Sequence, residues 1–423
     1  MASTKKIGFA VSVIVLFMCV SVYSAWTEPI HLSELNSPDF VASRPRVSSD
    51  ENIIYFVRNK NSSDKFYLWE AQKNAETGLY DQERVVSEIG RLGGQYIFGV
   101  WISEDRNRLY HCWADPHIYN GGWGRALSMA TRSNSNELWN QTRHHNELQT
   151  DNSLSSVCLT SNELNIMWTS GPSGGVMTDI YTASRSSIED SFSDICHATE
   201  LEEIGAIRPY ISADGLSIYF TITGDDGFEN IWKGVRYLLD EPFEEFRPLR
   251  KVINMPETKS MRPCITPDGG ALYFYRGAPD MDASEKGVYV SYWVETPMDT
   301  AVKNIRKAIT MKKLAIKRVN ASIAPETKAI RTIEEMLKDP DFGKSKKFDL
   351  IRAKARLEKS IQKQINERKE LLAKIESLKL SIQLLLRENT GQDPGSNRKR
   401  PRHPIMFSKP APSAVPGARA KMR

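Results

Sequence analysis

The 423-residue chain is long enough for one large domain plus an appendage, and its formal net charge of +5 conceals a steep asymmetry. Residues 26–298 carry 24 Lys/Arg against 39 Asp/Glu, residues 299–390 carry 23 against 12, and the last 33 carry 8 against 1. An acidic body on a basic stalk either binds its own halves together or recruits an anionic surface. Cysteines with neither CxxC nor paired spacing argue against a zinc site and a disulfide framework, so Cys112, Cys158, Cys196 and Cys264 are expected as buried free thiols.

Residues 1–25 place Lys5 and Lys6 before an apolar run over 7–22 and then Tyr23-Ser24-Ala25, the layout of a secretory signal peptide. The run is slightly short for a full membrane span, so cleavage is expected over an uncleaved anchor.

Residues 26–297 are built from a repeat. Its clearest copies are RPYISADGLSIYF (208–220) and RPCITPDGGALYF (262–274), with weaker ones at 44–56, 99–111 and 156–168. Each reads as a strand, a turn and a second strand; Asp214-Gly215 is expected to form a two-residue hairpin turn, because Gly takes the positive φ such a turn needs. Tyr55, Tyr110, Met167, Tyr219 and Tyr273 mark a nearly constant period, the signature of stacked supersecondary units. A third strand follows in each unit, then an outer one opening on an aromatic at Tyr80, Trp139, Phe192 and Phe243. The last repeat has no outer strand of its own, and the orphan segment from Trp26 matches what it lacks. Pairing the two closes a ring and removes exposed sheet edges. The expected fold is an all-β, five-bladed β-propeller closed by the N-terminal strand.

Residues 298–390 exchange aromatics for Lys, Ile and Leu at helical spacing. A first helix is expected to break over 320–324 and a second to start near Pro325, which suits a first turn; a third helix runs from about 348 to 387. That last helix carries Leu350, Leu357, Leu371, Leu378 and Leu385 beside Ile361, Ile375 and Ile382. Such a seam fits either a parallel coiled coil, making a homo-oligomer through residues 343–390, or a hairpin packed within the chain. Residues 391–423 form a basic tail, expected to be disordered. Without aromatics between its charges it gives no nucleic-acid signal.

The Arg-Pro, Ser/Thr-x-Asp-Gly and aliphatic-Tyr-Phe elements resemble TolB-type or WD-like propeller repeats of bacterial envelope proteins. The segment over 338–378 is similar to helical tails on such propellers in planctomycete-type proteins. The resemblance implies an exported, periplasmic or envelope-associated propeller and transfers no catalytic residues.

Three groups are candidates for chemistry. Arg44, Arg208 and Arg262 share one position on the innermost strands and could form a cationic arc for a carboxylate or phosphate, or a repeated structural contact between blades. Trp113, Tyr119 and Trp123 could stack on a sugar or peptide, or pack their own loop. Asp225, Asp226 and Glu229, with Asp280 and Asp282, could hold Ca²⁺ in variable loops, or be solvated acidic turns. The inner strands show Arg44, Gly99, Val157, Arg208 and Arg262 rather than the paired carboxylates of a glycosidase, so no catalytic residue is assigned. The expected function is binding of a protein or envelope glycan on the acidic loop face, with the helices as an oligomerisation element or spacer. The alternatives are a glycan-acting hydrolase or lyase and a structural envelope component.

Overall fold

The computed structural model describes residues 25–37, 40–59, 66–89, 97–119, 122–149, 152–172, 178–339 and 343–388. The expected leader, apart from Ala25, and the expected tail lie outside them.

Two short strands come first, β1 (Ala25–Trp26) and β2 (Ile30–His31). Blade 1 is β3 (Ser43–Val47), β4 (Ile53–Asn59), β5 (Phe66–Lys73) and β6 (Tyr80–Val85). Blade 2 is β7 (Ile97–Ile102), β8 (Arg108–Tyr119), β9 (Gly122–Thr131) and β10 (Gln141–His144). Blade 3 is β11 (Ser153–Leu159), β12 (Asn165–Gly171), β13 (Asp179–Ser184) and β14 (Ser193–His197). Blade 4 is β15 (Ile207–Ile211), β16 (Ser217–Thr223), β17 (Glu229–Val235) and β18 (Glu244–Pro248). Blade 5 has β19 (Lys259–Ile265), β20 (Ala271–Gly277) and β21 (Gly287–Val294), completed by β1 and β2. Inner strands β3, β7, β11, β15 and β19 neighbour one another in turn, and β19 returns to β3.

The ring closes as the repeat pattern requires. Trp26 pairs with Trp293, and their rings meet edge to face at 5.1 Å. The Thr27 amide donates to the Tyr292 carbonyl at 2.9 Å, and Ser291 Oγ donates to the Thr27 carbonyl at 2.7 Å. Blades pack face to face, so the second strand of each is covered on both sides. That is why Tyr55-Phe56, Tyr219-Phe220 and Tyr273-Phe274 are buried as adjacent pairs instead of alternating. Each buried aromatic stabilises the ring by roughly 1.5–3 kcal/mol.

The turns between first and second strands differ from the two-residue expectation. In blade 4 the Ser212 amide closes on the Ser217 carbonyl at 2.9 Å and four residues lie between them. The Asp214 carboxylate accepts from Ser212 Oγ at 2.6 Å and from the Leu216 amide at 2.9 Å. The same hydroxyl-to-Asp/Asn bond recurs at Ser48, Ser103, Thr160 and Thr266. Gly215 fills only the left-handed position, which Glu51, Arg106 and Glu163 occupy elsewhere. The side-chain network therefore specifies the turn, and Asp-Gly is one version of it.

Outer strands are fastened by another repeated contact. Arg132, Arg185 and Arg236, at the ends of third strands, stack over Trp139, Phe192 and Phe243 at 4.2, 4.3 and 4.5 Å. Carboxylates of Glu34, Glu147 and Glu200 then accept the amides of Tyr80, Phe192 and Phe243 in the following blade.

After blade 5, Thr296 caps α1 (Pro297–Leu337) in a reciprocal capping box with Asp299. Pro325 lies inside this single helix, so the expected break over 320–324 does not occur. Its missing N–H and its ring cost a helix interior about 3 kcal/mol, which packing must offset. That packing comes from α2 (Lys344–Glu388), which runs back along α1. Ile375 and Ile382, with Leu378 and Leu385, join Val302, Ile305 and Ile309 around Tyr237 of the propeller. The Ile/Leu seam is thus covered within the chain over this stretch, which favours the hairpin over the parallel pair. Arg306–Glu245 (2.9 Å), Lys313–Glu241 (2.6 Å) and Lys379–Glu244 (2.7 Å) fasten the basic helices to acidic blade 4. The charge asymmetry thus joins the two halves of one chain.

Candidate functional site

Inner strands carry an extra residue relative to their partners, seen as register breaks between Ser43 and Arg46, Ser155 and Cys158, Ile207 and Tyr210, and Met261 and Cys264. At each bulge one residue is left-handed: Arg44 (φ 57°), Ser156 (φ 51°), Arg208 (φ 52°) and Arg262 (φ 56°). Ser156 rather than Val157 holds the matching position in blade 3. A non-glycine residue there stores strain of order 1–3 kcal/mol, and bulges of this kind re-aim side chains. Arg44 and Arg208 are the second residues of their strands and Ser156 and Arg262 the fourth, so the bulges lie toward the end of the channel from which the loops between second and third strands emerge.

The structure brings the three predicted arginines together at this mouth and adds two more. The Arg44 guanidinium donates to the Phe98 carbonyl at 2.8 Å and lies 5.3 Å from the rings of both Phe66 and Phe98. Arg125, at the start of the main run of β9, stacks on Phe98 at 3.8 Å. Arg208 donates to the Glu229 carboxylate and reaches Met261 Sδ at 3.7 Å. The Arg262 side chain has no hydrogen-bond acceptor and no ion-pair partner among the described residues. All four arginines are half-buried as residues.

Arg46 forms the floor. It is 6% exposed, and Nε donates to the Val100 carbonyl at 2.8 Å. Its Nη1 donates to the carbonyls of Pro45 (2.7 Å) and Pro263 (3.3 Å), while the guanidinium lies 4.9 Å from the Tyr210 ring. One side chain thereby touches blades 1, 2, 4 and 5, and its charge also acts on the Cys158 thiol of blade 3. Arg46 therefore spans the channel between the arginine mouth and the cavity that Val47, Trp101, Leu159, Ile211 and Ile265 line at the other end.

The electrostatics reflect uncompensated positive charge. Burial, then repulsion from Arg262, Arg125, Arg208 and Arg46, drives the Arg44 guanidinium well below its usual pKa. Arg262 is pushed down to about 10 by burial and then by Arg208, with Glu229 opposing. Burial lowers Arg125 as well. A low-dielectric cluster whose members disfavour one another's charge is relieved by an anion.

Other candidates lie apart. Trp113 is 4% exposed, with Nε1 donating to Ser128 Oγ at 2.9 Å, so its ring packs inside blade 2 and is covered against a sugar or peptide. Tyr119 ends β8 and pairs with Gly122; its side chain and that of Trp123 lie outside what is described. The Asp226 carboxylate accepts the Phe228 amide at 3.0 Å, and Asp225, Asp280 and Asp282 are exposed. Glu229, 7% exposed, turns away from them to Arg208. Among the described residues these carboxylates do not converge; the one metal-compatible group is Asp179, His197 and Glu202 on the rim of blade 3, with ligand atoms within 4.8 Å of one another. Cys112, Cys158 and Cys264 are buried free thiols as expected, whereas Cys196 is exposed. Burial pushes the Cys112 and Cys158 thiols up to about 12.

Fold and site together define a five-bladed β-propeller with a cationic channel mouth above Arg46 and a helical hairpin on its flank. Among solved structures the chain is similar to a putative TolB of Agrobacterium tumefaciens, at 15% identity over 62% of this chain and 92% of that one, with a TM-score of 0.37. It is also similar to TolB of Acinetobacter baumannii (13% identity, 60% and 55% covered, TM-score 0.36). A third similar structure is an α-L-arabinofuranosidase of Podospora anserina (10% identity, 64% and 98% covered, TM-score 0.44). No family model matches the chain, and no curated protein matches it.

Proposed function

We propose that this protein is an exported binding protein that holds an anionic ligand in the cup at the channel mouth, with the hairpin as a rigid spacer. The observation that carries the reading is Arg262: a half-buried residue whose guanidinium has no acceptor of its own among the described residues, facing other cations in a site strained to present it. Such a group is far more stable with a ligand oxyanion than without one. Among the described residues the carboxylate that acts on the cluster is Glu229, and it is tied to Arg208. That arrangement suits charge recognition better than the free acid and base pair of a glycosidase. The acidic propeller surface around the cup would discourage polyanions from binding elsewhere.

The test is calorimetric titration of the mature protein with a panel of small acids and envelope glycan fragments, for the wild type and for Arg262→Ala. The reading expects at least one acidic compound to bind, weakening about tenfold or more in the variant. Binding confined to neutral glycans, unchanged in Arg262→Ala, would overturn it. N-terminal sequencing of the secreted protein should find it starting at Ala25 or Trp26; an intact Met1 on exported material would contradict cleavage.

A further inference from the structure

We infer that the ligand of the cup is a tetrahedral dianion of the phosphate monoester class. This deepens the proposed function and rests on it. Two observations carry the class. The first is charge: Arg44, Arg125, Arg208 and Arg262 ring the mouth above Arg46, and Glu229 compensates one of them. Arg46 turns its donors to three carbonyls and meets no carboxylate among the described residues, so its charge adds to the excess there. A monoanion would leave most of that excess uncompensated in a half-buried site.

The second is shape. Arg44 comes from blade 1, Arg125 from blade 2, Arg208 from blade 4 and Arg262 from blade 5, and the charges of the other three all act on Arg44, so four blades bring cations to one place. A planar carboxylate offers two oxygens in one plane and is satisfied by one or two forks. Three terminal oxygens on a tetrahedral centre accept from several directions at once, and the fourth can carry an ester. Arg44 and Arg125 lie over the Phe98 ring at 5.3 and 3.8 Å, which restrains both guanidinium planes, and among the described residues Arg44 has one acceptor, the Phe98 carbonyl. Ordering those planes in advance lowers the entropy lost on binding.

The experiment is isothermal titration of the full mature chain at pH 7.5 and fixed salt with methyl phosphate, inorganic sulfate, methyl sulfate, succinate and acetate. The inference expects methyl phosphate and sulfate, both tetrahedral dianions at this pH, to bind at least tenfold more tightly than methyl sulfate, succinate or acetate. Methyl phosphate should weaken between pH 7.5 and 5, as its second ionisation near pH 6 reverses, while sulfate holds. Arg125→Gln tests the site without touching a left-handed position and should lose about tenfold for methyl phosphate at an unchanged melting midpoint. Succinate binding as tightly as methyl phosphate would overturn the tetrahedral class, and methyl sulfate binding as tightly would overturn the dianion requirement; either leaves the anion-binding reading standing. If none of the five binds and acidic glycan fragments do, the class is wrong and the broader reading survives; if no acidic compound binds at all, both fall.

Discussion

Arg46 crosses the channel axis and gives its guanidinium hydrogens to backbone carbonyls of three blades. A buried cation held this way contributes through directional bonds, and its removal would orphan those carbonyls in the middle of the ring. Arg46→Met should therefore lower the unfolding free energy by about 3 kcal/mol, read from urea denaturation. A loss under about 0.5 kcal/mol would mean that Arg46 is not what joins the inner strands. His111 gives a pH prediction. It is fully buried, with its ring near the Leu109 carbonyl at 3.4 Å, and burial pushes its pKa down to about 4. The unfolded chain, with His near 6.5, then binds more protons than the folded one between these values. The stabilisation is complete above pH 6.5 and is lost as pH falls toward 4, on the order of 2 kcal/mol by pH 5. His111→Phe should flatten that part of the pH–stability curve. An unchanged slope would place the titration elsewhere.

At the scale of the element, the turns show how one conformation is reached from different sequences. Gly215 and Gly269 are both left-handed, at φ 70° and 75°, but their surroundings differ. A Cβ on Gly215 would meet Leu239 Cδ2 at 2.7 Å and Thr160 Cγ2 at 2.9 Å, whereas one on Gly269 meets nothing within 4 Å. Gly269→Ala should cost about 1 kcal/mol, for backbone conformation alone. Gly215→Ala should cost visibly more, and equal losses in denaturant titrations would refute the steric difference. These turns also mark what was legible in the chain. The repeat, the count of five and the closure by Trp26 followed from residues that recur or conspicuously fail to. The length of the turn did not, because Asp-Gly also occurs where a hydroxyl-to-carboxylate bond sets a four-residue loop. The continuity of α1 through Pro325 was hidden for a related reason: packing by α2 overrides a local breaker. In the cup, Arg44, Arg208 and Arg262 were visible because they repeat. Arg125, Phe98 and Arg46 were not, since each occurs in one blade and they meet only when the ring closes. Arg46 left one readable trace: its register position is filled elsewhere by Trp101, Cys158, Tyr210 and Cys264, and a lone charge in that company marks an exception.

For the whole molecule, opposite charges on blade 4 and the hairpin make the chain self-satisfying. Lys313 and Lys379 lie 4.8 and 5.7 Å from the Tyr237 ring while pairing with Glu241 and Glu244. With the Ile375–Ile382 part of the seam covered from within, light scattering should give a monomer both for residues 25–423 and after removal of residues 343–390 from them. A dimer that disappears on truncation would show that the exposed Phe348, Ile351, Leu380 and Leu384 pair between copies.

The proposed anion at the mouth rests on the strained bulges and on the arginines they carry. Phenylglyoxal labelling of arginines, read by peptide mass spectrometry with and without saturating methyl phosphate, tests this most directly. The account predicts that the peptides containing Arg262 and Arg125 are labelled in the free protein and protected by the anion, while arginines of the hairpin are indifferent to it. Equal labelling of Arg262 and Arg125 in both states, with protection appearing on the helices, would contradict it.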